Sequence, residues 1–587
     1  MPQKLKEVDV VVVGVGFAGA VLAKELAAAG LRVVGLERGP KRLTVPDFQA
    51  PRIHDELKYS VQKALMQDVH REAMTFRNNT DQMALPIRNW EAFLPGTGLG
   101  GSGTHWNGQV YRYQAAEFNY RSHIESRYGK NFIAPDLRIQ DWGVSYQELE
   151  PHYDRFERLV GAGGKAGNLQ GRIQPGGNPW ESPRSREYPN PPMKEQFAGA
   201  LFRKAATDLG YHPYIQPSAN MSAPYTNSEG LTLNPCVYCG FCERFGCEQF
   251  AKASPQTVIL PVLQKYSNFE LRTGTQVLRI NLDSTRKKAT GVNYMDQNGN
   301  EFEQPASLVL VTAFALNNIR LLLLSGIGKP YDPRTEDGVV GRNYAYQTVS
   351  AAPLFFDDDV HLNSFMGAGA SGTVIDDFSV DNFDHSSLGF IGGSYIVSGS
   401  TGARPIEFHP TPPGTPPWGA KWKAAVRKHY NHTAVLIQSG SSASARQNYA
   451  DLDPTYRDAW GLPLLRITFD FTENDLRLSR YVTDKSAAIG KRMGAKTVVN
   501  ESARRPFTTT IYQTTHTTGG TVMGPDRHTS VVNRYCQSWD VPNVFVIGAS
   551  NYPQNSSYNP TGTLGALIYW TAEALKNHYL KNPGPLA

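Results

Sequence analysis

An apolar strand running straight into a glycine turn constrains this chain more than any other feature. Val10 to Val13 are followed by Gly14-Val15-Gly16-Phe17-Ala18-Gly19, then by an Ala/Leu-rich stretch to about Ala29, then by a second apolar run, Leu31 to Leu36. Strand, turn, helix and strand in that order make a βαβ unit. The glycines differ in what they allow. Gly14 permits the tight turn, Gly16 lets the backbone approach a pyrophosphate, and Gly19 lets the helix pack closely on the strand. The helix N-terminus then offers unpaired N–H groups to the phosphates. Glu37 ends the second strand, 23 residues after Gly14, where an acid holds ribose hydroxyls and disfavours a 2′-phosphate. A dinucleotide-binding unit is expected, and 587 residues leave room for a second domain.

The balance of residues narrows the rest. With 40% hydrophobic and 19% charged residues, 54 Gly and 39 Pro, the chain reads as loop-rich and globular rather than disordered. A net charge of +6 without a dense Lys/Arg block argues against a nucleic-acid partner. Apolar stretches such as Val10 to Val13 and Leu321 to Leu324 fall far short of the roughly 18 residues that span a bilayer. Lysines before the first strand imitate a signal peptide, but the following run is punctuated by glycine and reads as a strand. A soluble chain without its own export signal is expected.

Further along, residues from about Lys41 to Pro95 form a polar excursion, and a second glycine-rich segment, Gly96 to Gly103, follows. Between about Arg155 and Pro235 the sequence reads as loops and short helices. Asn268 to Thr312 is strand-rich, with a hairpin turn at Asp296 to Asn300. About Val349 to Asp484 reads as a separate strand-rich domain, and the end returns to a strand, Val541 to Gly548, and a helix, Thr561 to Leu580. This order implies an α/β fold: a discontinuous Rossmann-like domain from residues 1–120, 225–345 and 500–587. An α+β substrate domain on an antiparallel sheet, residues 121–224 and 346–499, is inserted into it.

Several motifs in order resemble the glucose–methanol–choline (GMC) oxidoreductases. They are Gly14 to Gly19 with Glu37, Gly100-Gly101-Ser102, His516 followed by Gly519-Gly520-Thr521-Val522-Met523-Gly524, and Asn559-Pro560-Thr561 after Val546-Ile547-Gly548. Phe314 departs from the pattern, standing where the family usually has glycine. The resemblance implies FAD as cofactor, reduced by hydride from a carbinol, with further contacts at Gly101, Ser102, Val277, Gly548 and Thr561. It makes His516 the base for the hydroxyl proton, a role that suits a neutral imidazole. Asn559 would fix the substrate hydroxyl. Thr104-His105-Trp106 is similar to a pyranose-oxidase segment whose histidine is joined to the flavin 8α carbon. That likeness implies covalent attachment at His105, with simple stacking as the alternative, and places Asn107 near the flavin.

Four of the five cysteines, Cys236, Cys239, Cys242 and Cys247, fall within twelve residues. A disulfide framework scatters its cysteines, so this clustering points to metal or cluster ligation. The C-x2-C-x2-C-x4-C spacing approaches a ferredoxin run. Zinc would suit four thiols, but it has no redox chemistry to offer a flavin. The insert resembles that of membrane-associated bacterial sugar and gluconate dehydrogenases, which implies a [3Fe-4S] cluster on Cys242, Cys247 and one of Cys236 and Cys239. A [4Fe-4S] centre on all four stays open, and the isolated Cys536 reads as a packed thiol.

By the same resemblance the partners are a small subunit carrying a twin-arginine signal and a multihaem cytochrome c that anchors the complex. Location is then periplasmic, with the cytoplasm as alternative. An electron exit favours a sugar or sugar-acid dehydrogenase over an oxidase. A GMC-type oxidase with a structural metal, or a non-catalytic electron-transfer flavoprotein, are the competing readings. No arginine or lysine can be assigned to a substrate carboxylate from sequence, so the sugar stays unnamed.

Overall fold

The computed structural model describes residues 2–48, 65–88, 90–401 and 407–586. Strand β1 (Val8–Val13) and strand β2 (Val33–Glu37) flank helix α1 (Phe17–Ala28), as the glycine turn demands. Val10, Val11 and Val12 are almost fully buried, because a parallel strand is covered on both faces and has no use for polar alternation. The sheet continues with β3 (Phe269–Thr273), β4 (Gln276–Leu282), β5 (Ala289–Met295) and the long β6 (Glu301–Val311). Its order is β3-β2-β1-β6-β5-β4. Pairing is parallel from β3 to β6, with Val10 opposite Val33 and Val13 opposite Val311, and antiparallel from β6 to β4. The expected hairpin turn joins β5 to β6, with Gly299 at φ +85° and the Asp296 carboxylate accepting from the Asn298 and Asn300 amides. Helix α2 (Ala315–Ser325) follows β6 directly.

A second, antiparallel sheet contains β7 (Thr348–Phe355), β8 (Gly367–Ile375), β9 (Ser394–Thr401) and β10 (Thr433–Gly440) in the order β7-β10-β9-β8. Helix α3 (Glu473–Arg492) is capped by Thr472, whose hydroxyl accepts from the Asp475 amide, and covers one face. Leu478, Val482 and Ile489 pack there with Leu354 and Leu436 in a core of their own. Each such side chain contributes about 1.5–3 kcal/mol on burial. The chain then returns to the first sheet: β11 (Val544–Val546) lies parallel to β6, and α4 (Thr561–Ala574) leads away from it.

Two elements differ from the sequence reading. The last helix leaves α geometry at Ala574 and finishes as a π-helical turn, Leu575–Tyr579. The polar excursion of residues 41–95 contributes a strand, Met74–Arg77, that pairs in parallel with Pro463–Thr468. That pairing is long-range and leaves no local periodicity in so short a segment; residues 49–64 and 89 of the excursion lie outside the described residues. Among the described residues no helix is long and apolar enough to cross a membrane.

Candidate active site

A cavity of ≈ 290 Å³ runs from the first glycine turn to the segment carrying His516. Gly14, Gly16, Glu37, Gly101, Ser102, His105, Asn107, Val277, His516, Gly548, Asn559 and Thr561 all stand on its wall. Gly19 lies beneath it: a Cβ there would sit 2.0 Å from the Gly14 carbonyl oxygen, so only glycine lets α1 approach the turn. Gly14 holds φ +89°, a left-handed conformation that side chains resist. The buried Glu37 carboxylate accepts from Val15 N at 3.1 Å on one oxygen, and from Gly39 N at 2.9 Å and Gly98 N at 3.3 Å on the other. It thereby ties the two glycine-rich segments together at the nucleotide end.

The opposite end is built around His516. Its Nδ1 lies 2.5 Å from Gln347 Oε1. The Gln347 amide nitrogen donates to Ser556 O at 2.9 Å and Ser557 O at 2.8 Å, which fixes the oxygen toward the imidazole. The network therefore assigns the proton to Nδ1 and the lone pair to Nε2. Asn559 Nδ2 donates to that Nε2 at 3.3 Å, and Tyr395 donates its hydroxyl to Asn559 Oδ1 at 3.1 Å. His516 keeps part of its surface open to the cavity, yet the burial of the ring lowers its pKa to about 4. A neutral imidazole with an aimed lone pair is a proton acceptor held ready at neutral pH.

His105 ends the 3-10 turn Gly101–Thr104. It is 4% exposed, and its Nε2 has no hydrogen-bond partner. Burial, with Lys252 and Arg244 nearby, lowers its pKa to about 3, so the ring is neutral. A buried polar atom without a partner is costly, and one on this wall suits a ring system lying against it. That orphan, the glycine floor and the paired acid together fit FAD.

The cysteine loop packs directly behind this histidine. Arg244 N donates to His105 O at 2.7 Å, and the fully buried Lys252 donates to Trp106 O at 2.6 Å, Cys242 O at 2.7 Å and Phe245 O at 2.7 Å. None of the five cysteines is in a disulfide, and Cys242 is buried beside Met193 and Ala368. Among the described residues no three His, Cys, Asp or Glu side chains converge as ligands for one metal ion, so the four thiols as placed do not form a closed site. Cys536 is fully buried, the packed thiol expected.

Gln347, Tyr395, Glu243, Arg244 and Tyr512 escaped the sequence reading. Gln347 and Tyr395 sit in strand-rich sequence with no motif to single them out. Glu243 and Arg244 were visible only as spacers between cysteines, yet both reach the cavity wall, as does Tyr512.

Comparison with known proteins bears on this arrangement. Residues 143–349 match the N-terminal and residues 444–567 the C-terminal GMC oxidoreductase profile. The chain is 50% identical to the gluconate 2-dehydrogenase flavoprotein of Pantoea cypripedii, over 99% of this chain and 96% of that one. It is 22% identical to the fructose dehydrogenase large subunit of Gluconobacter japonicus, over 98% and 99% respectively. The crystal structure of pyridoxine 4-oxidase from Mesorbium loti shares the fold, with a TM-score of 0.60 and 16% identity over 97% of this chain and 99% of that one. With both profiles matched in order and a half-identical relative along nearly its whole length, the chain belongs to the GMC oxidoreductase family, and it is an FAD oxidoreductase acting on CH–OH donors.

Proposed function

We propose that this chain is a dehydrogenase that oxidises a hydroxyl of a sugar or sugar acid and passes the electrons through an iron–sulfur cluster to a cytochrome c partner. The observation that carries the oxidation is the His516–Asn559 pair, each member oriented by a further residue, Gln347 and Tyr395. FAD, when bound, supplies the hydride acceptor. The chain's own residues handle the proton. A substrate hydroxyl placed between the two side chains donates to His516 Nε2 and accepts from Asn559 Nδ2. As the carbinol carbon is oxidised, the hydroxyl proton passes to Nε2, and Gln347 Oε1 steadies the Nδ1–H of the resulting imidazolium. Glu37 and the turn at Gly14, Gly16 and Gly19 would hold the nucleotide, and Gly101, Ser102, Asn107, Val277, Gly548 and Thr561 would line it. His105 Nε2 would be the atom joined to the flavin.

The sugar-acid assignment draws support from the half-identical Pantoea relative, whose name is gluconate 2-dehydrogenase flavoprotein. The cluster proposal rests on four cysteines in twelve residues, on a loop whose Arg244 amide donates to His105 O and which Lys252 ties to Trp106 O through its bonds to Cys242 O and Phe245 O. Cys242, Cys247 and one of Cys236 and Cys239 would serve a [3Fe-4S] cluster, and all four a [4Fe-4S] one; either requires the side chains to turn toward a common centre. We also propose a small twin-arginine subunit and a multihaem cytochrome c as partners, and with them a periplasmic location. The fructose dehydrogenase relative is itself named a large subunit.

Anaerobic mixing of purified protein with gluconate, glucose and sorbitol tests the reading. Bleaching of the flavin by one of them, with dye reduction outpacing oxygen consumption in air, is the expected result. A flavin that no carbinol bleaches overturns the proposal.

A further inference from the structure

Among the described residues lining the cavity, three are arginines and none is a lysine. Two belong to the nucleotide end and are committed there. Arg38 pairs with Glu72 at 2.7 Å, next to Glu37, and Arg320 pairs with Glu72 at 3.0 Å and with Asp458 at 2.6 Å. Arg244 is differently placed. Its guanidinium lies 4.9 Å over the ring of Tyr512, four residues before His516, and Tyr512 in turn donates its hydroxyl to Glu243. Its main chain is pinned by the bond from its amide to His105 O, in a left-handed conformation at φ +66°. The guanidinium therefore emerges from a fixed point, between the loop of His105 and the segment of His516.

The guanidinium already holds one carboxylate. Arg244 Nη2 donates to Glu407, and the side chain keeps 16% of its surface accessible. Its Nε is buried without a hydrogen-bond partner. An arginine carries five N–H donors in a planar fork matched to carboxylate geometry, so a second carboxylate can join or replace the first. A neutral sugar offers such a cation only hydroxyl oxygens, whereas a carboxylate adds an opposite charge and a bidentate geometry, the stronger interaction. Glu243, the other charged group on this stretch of wall, is engaged by Tyr512 and faces the same space; it penalises a carboxylate that is not seated on the guanidinium.

Resting on the dehydrogenase reading above, we propose that Arg244 binds the carboxylate of a sugar-acid substrate while its hydroxyl meets His516 and Asn559, and so selects anionic over neutral polyols. The cysteine loop then has a second role, since one of the four residues between its third and fourth thiols reads the substrate.

Steady-state kinetics with gluconate and with sorbitol, two chains of six carbons that differ at the carboxylate, test this directly. Arg244→Met should raise KM for gluconate about 10- to 100-fold, the worth of one charged hydrogen-bonded contact, with kcat little changed and KM for sorbitol unmoved. Arg244→Lys should recover part of the loss. An unaltered ratio of flavin to protein absorbance in both variants confirms that the cofactor site is intact. A gluconate KM that stays at the wild-type value in both variants, or equal changes for both substrates, overturns the assignment. So does a wild-type enzyme that oxidises sorbitol but no sugar acid, an outcome that leaves the dehydrogenase reading standing. Failure of every carbinol to bleach the wild-type flavin instead removes that reading, and the assignment with it.

Discussion

Gln347 is the residue on which the chemistry of His516 turns, although it touches neither nucleotide turn nor cysteine. In Gln347→Leu the Nδ1–H of His516 loses its acceptor, and the carbonyls of Ser556 and Ser557 lose their donor. A buried donor left unsatisfied costs about 1–3 kcal/mol. The imidazole escapes that cost by moving its proton to Nε2, which then faces the Asn559 amide as a second donor and no longer accepts a substrate proton. Flavin reduction should slow about 10- to 100-fold, since about 1.4 kcal/mol is one factor of ten. Gln347→Glu separates the hydrogen bond from the charge: it keeps an acceptor and adds a negative charge beside the ring. The reactive form is the neutral imidazole, so the rate is flat above its pKa and falls as pH drops through it. In the wild type that fall should come near pH 4, where burial holds His516; in Gln347→Glu it should come at higher pH, because an adjacent anion favours the imidazolium. Stopped-flow flavin bleaching under anaerobic conditions, over a pH series, measures both. A Gln347→Leu enzyme that bleaches at the wild-type rate, or an acid limb that Gln347→Glu does not move, refutes the tautomer assignment.

Two further outcomes concern His105 and the cysteine loop packed behind it. His105→Ala should release FAD into the supernatant on acid precipitation, whereas the wild type keeps its colour in the pellet; colour that leaves the wild type under the same conditions disproves attachment. Cys242→Ser should keep substrate-driven flavin reduction but slow transfer to a cytochrome c acceptor and lower the iron content per chain, and unchanged iron would show that this thiol ligates nothing.

Much of this site is written in short stretches of sequence, and the reason is local. A turn such as Gly14 to Gly19 needs its glycines at fixed spacing whatever surrounds it, and Glu37 follows at the end of the adjacent strand, so both are readable without a fold. His516 and Asn559 were found through the company they keep in sequence. Their orienting partners are another matter: Gln347 and Tyr395 lie 169 and 164 residues away from the side chains they hold, and an ordinary glutamine just before one strand and a tyrosine inside another carry no periodic signal. Arg244 was hidden for a different reason. Its loop announced itself through four thiols, and only the chain's path behind His105 shows that the spacer residues reach the cavity. The pairing of Met74–Arg77 with Pro463–Thr468 was equally beyond a local reading, because its partners lie far apart in the chain.

The central claim is that His516 Nε2 accepts the hydroxyl proton, and His516→Ala carrying a full complement of FAD tests it most directly. Anaerobic bleaching of its flavin by the preferred substrate should be slower than in the wild type by a factor on the order of a hundred or more. Bleaching at the wild-type rate, with substrate affinity intact, would contradict it.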